Sequence, residues 1–376
     1  MSVALVSRSK LAHNMSVLQR AAGRGVLLFP AVKANAYGHG SFLVSSVLSS
    51  LGFSCVCVAQ VHEAAGLAPG VSRVLVLGGM TLEEAPLYRP PIISGSSSPS
   101  SPSLEAVVSS AAQIAALSAS SLRGRARVGV HVKVDTGMSR QGCLPHELPQ
   151  LLQAVSDNSE HLVLRGVMSH FAAADDSDRK LTETQLTRFR NALQGITLPQ
   201  GVMRHIANSA GILGYPSSLF EAARPGIAIY GLNPGDGVSA AASQLKPILE
   251  LQTRVTLLKT VEAGTGVSYG HHFTTLRPKT VLATLSIGYG DGISRAQSNR
   301  MRVIINGVSC PQLGRVTMDQ IVVDATDVPN LKVGAVAIVI GSHPSVTADA
   351  LAQQASTINY EILTGLSARV QRNLVD

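Results

Sequence analysis

Up to about residue 235, short β-branched and apolar runs alternate with longer segments of helical periodicity, the pattern of strand–helix units around a parallel sheet. Eight strands are predicted, over residues 26–32, 55–59, 73–77, 91–94, 128–134, 162–168, 203–206 and 221–224. Eight parallel strands close an α/β barrel. The fourth runs into SGSSSPSSPS, whose serines and prolines predict a loop, and an alanine-rich helix is predicted over 104–117. Near residues 233–243 the turn-rich NPGDGVSAAAS interrupts the alternation. Strands with tight turns follow (LELQTRVTLLKTV, TVLATLSIG, RVIINGVSC, QIVVDAT, AVAIVIG), then a helix over 348–354. The expected class is α/β, with an N-terminal eight-stranded (β/α)8 TIM-type barrel over 1–235 and a C-terminal mainly β domain over 236–376.

Composition agrees with this picture. A chain of 376 residues exceeds the roughly 250 that one barrel absorbs, and 45% hydrophobic with 14% charged residues is an ordinary globular balance. The net charge of +8 raises nucleic acid as a partner, but no basic run with interleaved aromatics exists. The densest group, Arg123, Arg125 and Arg127, alternates within an expected loop, so the charge reads as a solvated surface and no nucleic-acid partner is expected. Cys55, Cys57, Cys143 and Cys310 have neither zinc spacing nor the density of a disulfide scaffold, and read as reduced thiols with no metal. With no signal-peptide core and no apolar run near the ~20 residues that span a bilayer, a cytoplasmic enzyme without a membrane partner is expected.

In a parallel barrel, reactive groups sit where strands end and the following loops begin. Unusual polar residues fall together there: Lys33 after VLLFPAV, Lys133, Asp135 and Arg140 after the fifth strand, His170 after the sixth, Asn208 and Ser209 after the seventh, and Arg224 after the eighth. Each alone has a plainer reading, since strand-end lysines commonly snorkel and strand-end histidines are commonly structural. Their joint placement at one barrel mouth, and the words in which they occur, point to a site.

Those words are AVKANAYGHG, KVDTGMSRQG, SHFAAAD, ANSA, RPGIAIYG, GVSYG, SIGYGDG, GRVTMDQ and INYEI, in that order. Together they resemble the alanine racemase family, fold type III enzymes that depend on pyridoxal 5′-phosphate (PLP). The resemblance runs from about residue 11 to 372 and implies an isomerase that interconverts L- and D-alanine, supplying D-alanine for peptidoglycan. It implies that Lys33 carries PLP as a Schiff base and serves as one of two bases. The other is Tyr269, on the opposite face of the α-carbon. A phenol of ordinary pKa about 10 needs help to act as a base, and His170 matches the family's partner for this tyrosine, placed to orient and deprotonate it.

Arg224 matches the arginine facing the pyridine nitrogen. A guanidinium stays protonated, which leaves that nitrogen an acceptor and a weaker electron sink. Tyr37, Ser209, Gly226, Ile227 and Tyr360 match the phosphate-binding set, and the resemblance implies that Asn208 and His170 also belong to the cofactor-binding residues. Arg140 and the Met318 backbone match contacts to the substrate carboxylate. Lys133 matches a lysine that braces the arginine and is carbamylated in several members, with Asp319 and Tyr289 as supporting residues. Asp175, Arg295, Arg315 and Ile358, with Tyr289 and Tyr360, match the entry corridor. The resemblance also implies a homodimer whose active sites are shared between subunits.

The chain departs from the family pattern in SRSKLAHN near its start, in the serine/proline stretch of 94–103, and at Gln141, Cys143 and Thr317. These positions bear on ranking among small amino acids, so a broader racemase acting also on serine is an alternative. A non-catalytic PLP-binding barrel is a second. Such proteins lack the β domain, where Tyr269, Met318 and Tyr360 lie here. An amino-acid decarboxylase of the same fold is disfavoured by Arg224.

Overall fold

A computed structural model describes residues 2–88, 102–121 and 127–376. The chain divides into two compact units, one of Leu11–Ala36 and Ser41–Lys246, the other of Met1–Lys10, Tyr37–Gly40 and Pro247–Asp376. The first strand, β1 (Val3–Ser7), belongs to the second unit. The first unit holds β2 (Leu27–Leu28), β3 (Cys55–Val58), β4 (Arg73–Val76), β5 (Ser103–Val108), β6 (Val128–Lys133), β7 (Leu162–Met168), β8 (Met203–His205) and β9 (Ala222–Ala223).

Strands β3 to β8 form a six-stranded parallel sheet in sequence order, and β2 pairs in parallel with β9. This half-barrel of parallel strands is what alternating strand and helix segments dictate, because parallel neighbours need a crossover. Strand β6 is buried at every position, as a strand covered on both faces must be. Beyond β2 the chain stays hydrogen-bonded: Ala31 N–H donates to Pro225 at 2.8 Å, and Val32 N–H donates to the Cys57 carbonyl at 2.8 Å. On the other side, Arg224 N–H donates to Ala207 at 2.9 Å.

One expectation is corrected. The helix predicted over 104–117 begins only at Ala111 (Ala111–Ser121), and the residues before it are β5. The run LEAVV carries β-branched residues that are buried against β4 and β6, so sheet pairing overrides the helical propensity of its alanine and glutamate. The predicted strand over 91–94, most of the serine/proline stretch, Arg123 and Arg125 lie outside the described residues.

In the second unit, β10 (Leu249–Glu262), β11 (Gly266–Val267), β12 (Phe273–Thr274), β13 (Lys279–Leu285), β14 (Arg302–Ile305), β15 (Val308–Leu313), β16 (Ile321–Asp324), β17 (Val336–Ile340) and β18 (Gln371–Val375) follow. The order β13-β16-β15-β14-β17-β10, with β10 also paired to β13, brings this antiparallel sheet back on itself as a small barrel. The segment RVIINGVSC is a hairpin, β14–β15, turned by Asn306 and Gly307 at φ 49° and 79°, the left-handed pair that a tight two-residue turn demands. Strand β1 lies between β10, antiparallel, and β18, parallel, so the opening residues pack with the C-terminal sheet.

Candidate active site

The segment after Lys33 has a backbone that ordinary residues avoid. Ala34, Asn35, Ala36 and Tyr37 all have φ between 50° and 53°, four consecutive residues in the left-handed region at a cost of about 1 kcal/mol or more each. Hydrogen bonds hold the turn: Ala34 N–H donates to the Glu63 carboxylate at 2.6 Å, and Ser41 N–H donates to Asn35 Oδ1 at 2.9 Å. Glu63 is itself anchored by the amides of Ala59 and Gln60. Burial and the nearby Arg140 charge lower the Lys33 pKa, which favours the neutral, nucleophilic amine.

Lys133 and Arg140 are brought close by a loop that doubles back on β6. Asp135 Oδ1 accepts from the amides of Gly137, Met138 and Ser139 at 2.8, 3.0 and 3.1 Å, and Cys143 N–H returns to the Lys133 carbonyl at 2.9 Å. A Cβ at Gly142 would lie 2.5 Å from the Asp135 nitrogen, so this return needs glycine. Lys133 donates to Gln141 Oε1 at 2.9 Å. Burial, Arg224 and Arg140 push its pKa down to about 8.

Arg224 is almost wholly buried. It donates to the carbonyls of Ser169 at 2.7 Å, His205 at 3.1 Å and Ile206 at 3.3 Å, to Nδ1 of His205, and to Nδ1 of His170 at 3.3 Å. Burial lowers its pKa to about 10, still cationic at neutral pH. Burial and the charges of Arg224, Lys133, Arg140 and Lys33 hold the His170 pKa well below its ordinary value. The imidazole is therefore neutral. Because an arginine can only donate, His170 Nδ1 is the acceptor and Nε2 bears the hydrogen. Its outer nitrogen is thereby set as a donor.

The residues expected to bind the phosphate follow the same strand ends. Asn208 caps the short helix Ser209–Gly214, its Oδ1 accepting from Gly211 N–H at 2.9 Å. The Ser209 hydroxyl accepts from the amides of Gly226 at 2.8 Å and Ala228 at 3.2 Å, which ties it to the first turn of the 3-10 segment Ile227–Tyr230. Hydroxyl and backbone donors gathered at such a turn suit a phosphate.

In the second unit, Tyr37 and Tyr360 face each other with ring centroids 5.9 Å apart. Tyr269 follows Ser268, whose hydroxyl donates to the Arg315 carbonyl at 2.8 Å, and its ring is 72% exposed. Met318 and Tyr289 are exposed on a neighbouring turn, where Tyr289 N–H donates to Thr317 and Gly290 N–H to Met318, both at 2.9 Å. Asp319 pairs with Arg369 at 2.8 Å, and Arg369 reaches Asp291 at 3.3 Å. The strand-end residues thus assemble in the first unit, and Tyr269, Met318, Tyr289, Asp319 and Tyr360 occur in the second.

Three buried residues escaped the sequence reading: Glu105, His131 and His205 form a hydrogen-bonded chain with Arg224. The available signal was a charged or imidazole side chain within an otherwise apolar strand for Glu105 and His131, whereas His205 only ends a short strand.

Residues 6–234 match the alanine racemase N-terminal domain, and residues 248–374 match the alanine racemase C-terminal domain. The chain belongs to the alanine racemase family. An alanine racemase of Nostoc sp. is 36% identical over 379 residues, covering 96% of this chain and 92% of that protein. The structure of alanine racemase from E. faecalis superposes with a TM-score of 0.89 at 28% identity, covering 100% of this chain and 98% of that one. Alanine racemase from Bacillus anthracis, solved with bound L-Ala-P, gives a TM-score of 0.86 at 28% identity, covering 100% and 95%. The protein is an alanine racemase-type isomerase, and PLP is its cofactor. The residues fit that group, with an amine of lowered pKa for the aldehyde, a buried guanidinium for the ring and, for the phosphate, the Ser209 hydroxyl, which accepts from two amides and keeps its own hydrogen to donate.

Proposed function

We propose that racemisation of alanine runs through two bases, Lys33 and Tyr269, acting on opposite faces of the substrate α-carbon. When bound, PLP withdraws electrons from the bond to the α-hydrogen and so acidifies it. Lys33 holds the cofactor, and its amine carries the proton on one face. Tyr269 carries the proton on the other, and the proton taken by one base is replaced from the other, which inverts the centre. Arg224 faces the ring nitrogen as a permanent donor. Tyr37, Ser209, Gly226, Ile227 and Tyr360 bind the phosphate, with Asn208 fixing the Ser209 helix, while Arg140 and the Met318 amide receive the substrate carboxylate. His170 orients the tyrosine as a hydrogen-bond donor, a carbamylated Lys133, its carbamate oxygens accepting, braces Arg140, and Asp319 and Tyr289 support the entrance.

The observation that carries this reading is the place of Lys33 immediately before a strained left-handed turn, where burial and the Arg140 charge lower its pKa. Tyr269, Met318 and Ile358 are exposed at 72%, 52% and 62%, which supports a homodimer in which a second copy completes each site. We read the parallel strands as a closed eight-stranded barrel over 1–235, followed by the β domain over 236–376. Among the described residues no helix is long and apolar enough to cross a membrane, and a cytoplasmic enzyme making D-alanine for peptidoglycan suits this.

Purified protein carries visible absorbance from bound PLP and loses it in Lys33→Ala. A wild-type protein that stays colourless with added PLP overturns the scheme. Chiral chromatography with alanine, serine, lysine and arginine separates an alanine racemase from a broader one.

A further inference from the structure

The hydrogen-bond order around Arg224 is set from outside the site. A guanidinium only donates and a carboxylate only accepts, so the two ends of the buried chain fix everything between them. Arg224 donates to Nδ1 of His205. His205 Nε2–H then donates to Nδ1 of His131 at 2.8 Å, and His131 Nε2–H donates to Glu105 at 3.0 Å. Burial holds both imidazoles neutral, with pKa values below the ordinary range. Arg73 grips the same carboxylate with bonds of 2.9 and 3.1 Å, and Arg165 lies 3.9 Å away. The Phe29 ring packs near both imidazoles, with centroids 6.4 Å from each.

Two glycines make room for this chain. A Cβ at Gly166 would lie 2.4 Å from His131 Nδ1, and one at Gly129 would lie 2.9 Å from Glu105 Cγ. Glycine weakens a strand interior, so its presence on adjacent strands β6 and β7 at this spot reports a packing requirement. An ion pair between Arg73 and Glu105 alone would need neither histidine.

We propose that Glu105 is a positioning residue for racemisation: acting through His131 and His205, it holds the His205 lone pair against Arg224 and so fixes Arg224 at the cofactor ring. The proposal rests on the reading of Arg224 given above. Glu105 Oε1 lies between Arg73 Nε at 2.9 Å and Arg165 at 3.9 Å, and Oε2 accepts from both Arg73 and His131. The single oxygen of glutamine belongs at the Oε1 place, between two guanidinium groups that can only donate, which puts the NH2 at the Oε2 place. There Arg73 loses one of its two bonds, whereas His131 can accept by moving its hydrogen to Nδ1. That move forces the hydrogen of His205 onto Nδ1 as well, where it meets the donors of Arg224.

The test is nitrogen NMR of the histidines in wild type and Glu105→Gln, each with and without PLP, together with PLP titration and steady-state kinetics. Expected in wild type is the Nε2–H form of both His131 and His205. In Glu105→Gln both switch to Nδ1–H, the apparent Kd for PLP rises and kcat falls by about tenfold or more, the factor one unsatisfied buried donor carries, with KM little changed. Glu105→Asp, which keeps the carboxylate, recovers the wild-type histidine signals.

Wild-type His205 in the Nδ1–H form overturns the proposal without any variant. So does a Glu105→Gln protein that loses only thermal stability while histidine signals, PLP affinity and kcat stay unchanged. Switched histidines with unaltered PLP binding and kcat overturn instead the Arg224 reading on which it rests.

Discussion

Lys133 donates to the side-chain oxygen of Gln141 at 2.9 Å, and an ammonium can do nothing else, so the Gln141 amide is fixed with its oxygen toward the lysine. This bond opposes the burial and the cationic neighbours that lower the Lys133 pKa to about 8 from 10.5. Gln141→Leu removes the acceptor and is expected to drive that titration lower still, as read by NMR of methylated lysines. The sign for stability follows. With a folded-state pKa below the unfolded one, this group's contribution is fully present above about pH 10.5 and is lost as pH falls toward 8. An unmoved midpoint in Gln141→Leu refutes the role of Gln141.

Tyr269→Phe removes only the phenol oxygen of a ring that is exposed at the surface of its unit. Bound-PLP absorbance is expected to persist, while racemisation falls by about a hundredfold or more, the scale of one general acid or base. Exchange of the α-hydrogen with deuterated solvent becomes unequal from the two enantiomers, since one face keeps its base. Equal and normal exchange removes Tyr269 from the mechanism.

His170 and His205 are buried and neutral, each held well below the ordinary histidine pKa by burial and by Arg224. An unfolded chain protonates these imidazoles below about pH 6.5. Stability from each is therefore complete above that pH and declines below it by up to about 1.4 kcal/mol per pH unit. Urea midpoints measured between about pH 8 and 5.5 are expected to fall on the acid side, and to fall less steeply in His205→Gln. A flat profile contradicts the neutral state of both.

Gly288 packs against the turn that carries Met318, where an added Cβ would lie 2.3 Å from the Thr317 carbonyl and 2.5 Å from the Met318 backbone. Gly288→Ala must push this turn outward, costing about 1–3 kcal/mol as an overpacked contact. If the Met318 amide receives the substrate carboxylate, KM for alanine rises more than kcat falls. A lower melting temperature with unchanged kinetics separates Met318 from substrate binding.

Much of the site was legible because the chemistry-bearing residues end their strands and keep fixed spacings in short words. Lys33, Arg140, His170, Ser209 and Arg224 could be named that way, and the strands that carry them lie near their expected places. The stretch 104–108 was misread because LEAVV is ambiguous in isolation. Its burial between β4 and β6 made it a strand.

Sequence alone determined the two classes of supersecondary texture, the family words and the polar residue types at the strand ends, because these depend on local periodicity and residue type. Only the tertiary structure decided how those groups are protonated and aimed. Glu105, His131 and His205 come from three separate strands, 26 and 74 residues apart, and no local pattern joins them. Which imidazole nitrogen bears the hydrogen is set by what neighbouring strands supply, a carboxylate at one end and a guanidinium at the other. That is a property of packing at a distance in sequence.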